Sequence, residues 1–441
     1  MSANRPNAGG DRPTARRVAF EVVRRVADEG AYSNLTLRRS LDRAGLVERE
    51  AAFATELAYG TLRRLVPIDH ALGPLLERPL ADAPRPARTA LRLGAYQLRY
   101  LGTPPHAAVS ESVALVDRRH RGFVNAVLRR LASEPRRAID GDDDRAVSLR
   151  TGLAEWGVRE LRRLLGDETE TAASALAERG SHTIRSNTCR TPEAELEREL
   201  ADAGVAFERG SVHAGSLVLS SVDPVRLPGF DRGAFAIQDQ ASSFVVRALD
   251  PQPGDRVLDV CAGPGGKAAY VSCLVGPDGR VVASDVSATR TGLVAETAAR
   301  LGVGPLVLTQ DGRRPAVRPG FDRVLVDAPC SGFGSARRRP ELLWRPRRSD
   351  LSGLARLQVS IATAAAALVR PGGRLVYSVC TFPRAETDAA CDALLRRAPD
   401  LRPDPIEGPD GTADRVRLWP HVHGCDAMFI AAFRRLAGPP D

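Results

Sequence analysis

The sequence predicts an α/β protein: a Rossmann-like, doubly wound domain preceded by an all-α domain and a small α/β subdomain. Three observations lead there. From Gln238 onward, apolar strand-like runs alternate with helical ones, the pattern of a parallel sheet with crossover helices. One run, Arg256-Val-Leu, leads straight into the glycine turn Asp259-Val-Cys-Ala-Gly-Pro-Gly-Gly-Lys267. The first third, in contrast, reads as helical throughout.

At the start, Met1–Gly10 lacks an apolar signal core, and no run in the 441 residues approaches the roughly 18 apolar residues of a membrane span. Val18, Val22 and Val26 recur at helical spacing, while Arg16, Arg17, Arg24 and Arg25 take the other face. Further helices are predicted near 48–65, 84–100, 105–117 and 122–132, punctuated by Pro67, Pro74, Pro84 and Pro104-Pro105. The formal net charge of +9 lies entirely in this part: residues 1–133 hold 22 arginines against 13 acids, and the remainder balances at 41 against 41. Such an excess is the electrostatic footprint of a nucleic-acid-binding module. The first domain is therefore set at 1–133. The acidic run ending in Asp140-Gly-Asp-Asp-Asp144 marks a linker over 134–149.

Residues 150–235 mix helices (Leu153–Leu165, Pro192–Ala203) with short strand-like runs (Ser181–Asn187, Leu217–Ser221), as a small α/β subdomain does. The last domain, 236–441, carries strand candidates at Arg256–Val260, Arg280–Ser284, Pro305–Thr309, Arg323–Val326 and Arg374–Val379, with a final pair near Arg415–Trp419 and Ala427–Phe433.

The glycine turn has the chemistry of a nucleotide-type cradle. Glycines let the backbone approach a ligand, and the helix that follows offers unpaired N–H groups. A phosphate-gripping P-loop needs Gly at Cys261 and Ser or Thr at Ala268, so that reading fails. The spacing of Gly263, Gly265 and Gly266 also fits a dinucleotide fingerprint only loosely. Asp285 ends the next apolar run, where a carboxylate can take a ribose hydroxyl pair. Asp311 and Asp327 end two later runs, and in such sheets ligands lie over the carboxyl ends of the strands. Lys267 is the only lysine in the chain, a compact charge retained where arginine has replaced every other one.

Seven cysteines, an odd number with no C-x-x-C pair, predict free thiols, a reducing compartment and no structural zinc. Cys189, Cys273, Cys391 and Cys425 read as small buried hydrophobes, and Cys261 belongs to the glycine turn. Cys330 and Cys380 instead sit at strand ends, in Asp327-Ala-Pro-Cys-Ser-Gly332 and Ser378-Val-Cys-Thr381, where a thiolate can act as nucleophile.

Taken together, Cys261-Ala-Gly-Pro-Gly-Gly-Lys267 and the two cysteine motifs resemble those of the S-adenosylmethionine-dependent RNA cytosine-C5 methyltransferases, the Sun/Nop family. The N-terminal third resembles the NusB-like RNA-binding domain of members acting on bacterial 16S ribosomal RNA, through Phe53–Arg64, Leu91–Gln97, Pro105–Val113 and Gly122–Arg130. Gln238–Ser243, Gly334–Glu341 and Trp419–Gly424 extend the likeness over most of the chain.

The N-terminus, the lack of a membrane-length run and the cysteine usage lead to the expectation of a cytoplasmic protein without membrane or metal, and a monomer is expected. The resemblance implies a methyl transfer from S-adenosylmethionine to carbon 5 of a cytosine in small-subunit ribosomal RNA. It implies attack by Cys380, release by Cys330 and a hydrogen bond from Asp327 to the cytosine N3 edge. Cofactor contacts fall on Cys261, Ala262, Gly263, Pro264, Gly265, Gly266, Lys267, Asp285, Arg290, Asp311 and Asp327. Chemistry alone does not choose Cys380, because DNA cytosine methyltransferases attack with a Pro-Cys cysteine like Pro329-Cys330. Arg337, Arg338, Arg339, Arg345, Arg347 and Arg348, around Trp344, are expected to touch phosphates and bases.

The sequence departs from the family's pattern in several places. Gly263 and Ala268 stand where the family usually has Ala and Thr. Arg339-Pro-Glu341 replaces His-Pro-Asp, and an RNA-contact stretch is reduced to Ser181–Asn187. The same reaction on transfer RNA and a non-catalytic assembly factor are the alternatives; the intact cysteine pair and Lys267 argue against the second.

Overall fold

The structure, a computed structural model, describes residues 14–220 and 222–436. Met1–Gly10, read above for a signal core, and Ser221, placed in a strand-like run, lie outside the described residues. Two compact units form: Met1–Arg159 with Arg338–Arg345, and Glu160–Arg337 with Pro346–Asp441.

The first unit is helical: α1 (Ala15–Glu29), α2 (Ser33–Ala44), α3 (Glu48–Arg63), α4 (Leu65–Leu72), α5 (Arg85–Arg99), α6 (Pro105–Ala114), α7 (Arg118–Ser133) and α8 (Asp144–Thr151), with the start of α9 (Glu155–Leu165). Val18, Val22 and Val26 of α1 are buried in one core with Leu57, Leu91 and Leu128, as their spacing predicts. Two helices escaped the periodicity. The buried side of α2 includes Ser33 and Thr36, so it has no clear apolar stripe. Pro67 sits in the first turn of α4, where a missing N–H costs no helical bond. The acidic run expected as linker ends as a helix cap: the Asp143 carboxylate accepts from the Ala146 N–H of α8 at 2.8 Å.

The returning segment corrects one expectation. Trp344 packs against the helical core and donates its indole N–H to the Leu62 carbonyl at 2.8 Å. Arg345 donates to the carbonyls of Val26 and Ala31, each at 2.8 Å, and Arg339 lies over the Tyr32 ring. Trp344 and Arg345 are thus committed to internal bonds instead of standing open to RNA. In the second unit Arg337 donates to the Gly424 and Cys425 carbonyls. Arg347 and Arg348 stand exposed.

The second unit continues with α10 (Thr169–Leu176), β1 (His182–Ser186), α11 (Glu193–Asp202), β2 (Phe207–Arg209), β3 (Ser216–Leu219) and β4 (Phe235–Ile237). These strands form an antiparallel sheet in the order β2-β3-β1-β4. Arg185 is buried on β1, with its guanidinium 3.8 Å from the Tyr270 ring centre and its Nε donating to Gln238 at 2.8 Å. Asn187 donates to the Gly233 and Leu301 carbonyls. Both side chains therefore fasten the subdomain to residues of the last domain, Tyr270, Gln238 and Leu301.

The main sheet follows: α12 (Gln240–Leu249), β5 (Arg256–Asp259), α13 (Gly266–Val275), β6 (Arg280–Asp285), α14 (Ala288–Leu301), β7 (Leu306–Thr309), β8 (Phe321–Asp327), α15 (Leu351–Ala366), β9 (Val369–Val379), α16 (Asp388–Arg397), β10 (Leu401–Pro403), the hairpin β11 (Ile406–Gly408) and β12 (Gly411–Ala413), β13 (Arg415–Leu418), α17 (Pro420–His423) and β14 (Met428–Arg435). The order is β10-β14-β9-β8-β5-β6-β7, with β13 also on β14. Strands β5 to β9 pair in parallel and β14 runs against β9.

Side chains alternate between two cores, as the pleat requires. Val324, Val326, Leu375 and Tyr377 pack with Val359 of α15 and Leu394 of α16; Leu325 and Val376 pack with Phe244 and Val245 of α12. Because the chain runs outward from β5 to β7 and then returns to β8 on the other side of β5, the loops after β5 and β8 diverge. A crevice opens at such a switch point.

Cys189, in the loop after β1, is disulfide-bonded to Cys273 of α13. This corrects the expectation of seven free thiols. A pairing across 84 residues depends on tertiary placement, with Cα atoms 5.6 Å apart, and leaves no mark in local spacing. Among the described residues, no helix is long and apolar enough to cross a membrane.

Candidate active site

The loop after β5 turns tightly at positions where a side chain would not fit. Gly265 has φ +108°, a conformation open to glycine, and a β-carbon there would lie 2.9 Å from the Val294 backbone. The Gly263–Pro264 peptide is cis. A β-carbon on Gly263 would come within 2.7 Å of Arg290 Nε and 2.8 Å of Asp285 Oδ2. Arg290 therefore fills the space that the family's alanine would take.

Asp285, at the end of β6, is 5% exposed and holds this loop. Its Oδ2 accepts from Arg290 Nε at 2.8 Å and from the Gly263 N–H at 3.3 Å, and its Oδ1 accepts from the Ser287 N–H at 3.1 Å. Arg290 also donates to the Gly263 carbonyl at 2.5 Å. The structure thus brings Asp285, Arg290 and Gly263 together. Asp311 stands apart from them on the rim beyond β7, exposed and bonded to Arg313; that hydrogen bond lowers its carboxyl to about 2.

The second half of the site lies at the ends of β8 and β9. Asp327 Oδ2 accepts from Lys267 Nζ at 2.7 Å and Oδ1 from the Ser378 hydroxyl at 2.8 Å. Asp327 and Ser378 are partners in the β8–β9 register, so the sheet itself aligns them. Burial works against the Lys267 charge, but Asp327 outweighs it and the ammonium is held.

Deeper in the site, Asp259 is 1% exposed and neither carboxylate oxygen meets a hydrogen-bond partner of ordinary geometry. Burial, and then the charge of Asp327, push this acid up to about 7.

Cys330 and Cys380 are half-buried, with their sulfurs 3.5 Å apart. The hydrogen bond from Cys330 favours a thiolate on Cys380, which burial and Asp327 oppose; the Ser335 hydroxyl and the Lys267 charge assist, and the thiol settles at about 7. Conversely, that hydrogen bond and burial push Cys330 well above the ordinary thiol range. The two opposite shifts favour thiol on Cys330 and thiolate on Cys380.

Sequence reasoning missed Asp259, Ser378 and Glu386. Asp259 had a signal, as the acid that ends β5 ahead of the glycines. Ser378 becomes visible only once the register with Asp327 is known. Glu386 is fully buried behind the cysteine loops, and nothing in its local sequence marks it.

A glycine turn at the switch point of a doubly wound sheet, with an acid at the end of the neighbouring strand, makes a site for a nucleoside-bearing cofactor. The residues present suit S-adenosylmethionine: Asp285 can accept from a ribose, and the buried Asp259 oxygens lack a hydrogen-bond partner among the described residues.

Residues 246–434 match the model of the 16S rRNA methyltransferase RsmB/F family, and residues 13–133 match that of the NusB family. A putative methyltransferase of Mycobacterium tuberculosis is 40% identical, with 96% of each chain covered. The ribosomal RNA small subunit methyltransferase B of Thermus thermophilus is 36% identical, covering 96% of this chain and 98% of that one. The crystal structure of PH0851 shares the fold with a TM-score of 0.83 at 23% identity, over 99% of this chain and 100% of that one. The chain belongs to the 16S rRNA methyltransferase RsmB/F family.

Proposed function

We propose that this protein methylates carbon 5 of a cytosine in 16S ribosomal RNA, as a monomer in the cytoplasm, through a covalent cysteine–cytosine adduct. The observation that carries the reading is the pair of sulfurs 3.5 Å apart, one favouring thiolate and one thiol, beside the Lys267–Asp327 ion pair. The RNA target is supported by the names of the relatives, and the helical part by its basic excess, which suits phosphate contacts. Residues 1–133 supply RNA affinity, 134–149 link, 150–235 form a small subdomain and 236–441 do the chemistry.

Carbon 5 of cytosine is a poor nucleophile, and the base must leave its stack to be reached. The Cys380 thiolate adds to carbon 6: the carbon–sulfur bond forms and the C5–C6 π electrons pass to carbon 5. Asp327 stabilises the proton that N3 takes up. Bound S-adenosylmethionine supplies the electrophilic methyl group that carbon 5 takes.

Cys261–Lys267, Asp285, Arg290, Asp311 and Asp327 are the residues to hold it, with Asp285 on the ribose and Asp311 towards the adenine. In the adduct, the Cys380 sulfur is a thioether and no longer a charged partner for Cys330. The main cause that raised Cys330 is then gone, and Cys330, once deprotonated, can take the proton from carbon 5. The C5–C6 double bond re-forms, Cys380 leaves as thiolate, and N3 gives back the proton it took up.

Bisulfite sequencing of total RNA from cells with and without the protein tests the target. One 16S cytosine should lose its methyl mark in the deletion. Loss only in transfer RNA, or no loss anywhere, overturns the reading.

A further inference from the structure

Each cysteine is followed by a hydroxyl residue, and these hydroxyls meet: Ser331 Oγ and Thr381 Oγ1 are 2.7 Å apart. Behind them lies the carboxylate of Glu386, which is fully buried. Its Oε1 accepts from the Ser331 backbone N–H at 2.8 Å, and its Oε2 from the Ser331 hydroxyl at 2.5 Å. Oε1 also accepts from the Gln358 amide at 2.9 Å, and that amide donates to the Pro329 carbonyl at the same distance. The backbone carbonyl of Glu386 accepts from the buried Tyr377 hydroxyl at 2.7 Å.

No cation is among these partners. Burial pushes the acid up, and the Ser331 and Gln358 donors hold it down. Three converging donors are what an ionised carboxylate requires in place of water. A carboxylate cannot donate, so Ser331 donates to Glu386 and Thr381 donates to Ser331. The chain Thr381 → Ser331 → Glu386 therefore runs in one direction and ties the Cys330 loop to the Cys380 loop. Cys380 has a second anchor, since its carbonyl accepts from the Gly334 N–H at 2.9 Å, and it follows directly on β9. The peptide between Cys330 and Ser331 relies on Glu386.

We propose that Glu386 is a positioning residue that holds Cys330 in register with Cys380, so that its loss impairs release of the methylated cytosine more than attack on it. This rests on the cysteine roles given under the proposed function. The role is distinct from merely filling the core, because Glu386→Gln keeps the volume but removes the charged acceptor and, with an amide N–H towards Ser331 Oγ, reverses the Thr381–Ser331–Glu386 chain.

The test uses the full-length protein, 16S ribosomal RNA transcript and radiolabelled S-adenosylmethionine, comparing Glu386→Gln, Ser331→Ala and Cys330→Ala with the unaltered chain. For Glu386→Gln, kcat should fall about tenfold or more while the RNA KM and cofactor affinity stay within about twofold. A methylated RNA–protein adduct should survive denaturing gels, as in Cys330→Ala. Ser331→Ala should shift the same way to a smaller extent, and it carries the test if Glu386→Gln does not fold. Normal release by the variants, or lost activity with weakened cofactor binding and no adduct, overturns the role of Glu386. An adduct absent from Cys330→Ala itself overturns the cysteine roles, and this inference with them.

Discussion

Lys267 reaches from the glycine loop after β5 to the carboxylate of Asp327 at the end of β8, 2.7 Å away. The one lysine of the chain thereby joins the cradle to the rim that bears both cysteines. A point charge here neutralises Asp327 and, beyond it, favours the Cys380 thiolate.

Replacing Lys267 by Met should therefore alter the pH dependence of methyl transfer. Cys380 is lowered to about 7, chiefly by the Cys330 hydrogen bond, with Lys267 assisting. The thiolate is the reactive form, so the single-turnover rate should rise through about pH 7 and level off above it. In Lys267→Met the rise moves to higher pH, and the rate at pH 7 falls about fivefold for the first unit of the move and about tenfold for each further unit. An unchanged profile would separate Lys267 from the thiol.

Asp285→Ala removes the acceptor that holds Gly263 and Arg290 in the loop. Calorimetry should show S-adenosylmethionine binding at least about tenfold weaker, a loss of roughly 1.4 kcal/mol. Equal affinity in the variant would take Asp285 out of the cofactor site.

The Cys189–Cys273 bond leaves five free thiols, those of Cys261, Cys330, Cys380, Cys391 and Cys425. Thiol titration in denaturant without reductant should count five per chain, and all seven once the protein is reduced. Seven before reduction would mean that the pair is open in solution.

Much of this was legible in the residues. The strand at Arg256–Val260 and the glycine turn announced the cradle because apolar runs and glycines are local signals. The last strands near Arg415–Trp419 and Ala427–Phe433 were also found, since both alternate clearly. What could not be read depends on distant partners. Arg345 and Trp344 looked like RNA contacts because a basic, aromatic run has the same composition whether it faces solvent or fills a helical core. Asp259 and Glu386 owe their importance to burial, and the Ser378–Asp327 contact to strand register. The disulfide was hidden for the same reason.

The central claim is that Cys380 attacks the base and Cys330 frees it. Denaturing gels of each variant incubated with 16S ribosomal RNA and S-adenosylmethionine test it most directly. Cys380→Ala should form no covalent RNA adduct and show no turnover, whereas Cys330→Ala should attack, methylate and remain attached. An adduct in Cys380→Ala with none in Cys330→Ala would reverse the roles, and an active double variant would contradict the cysteine mechanism altogether.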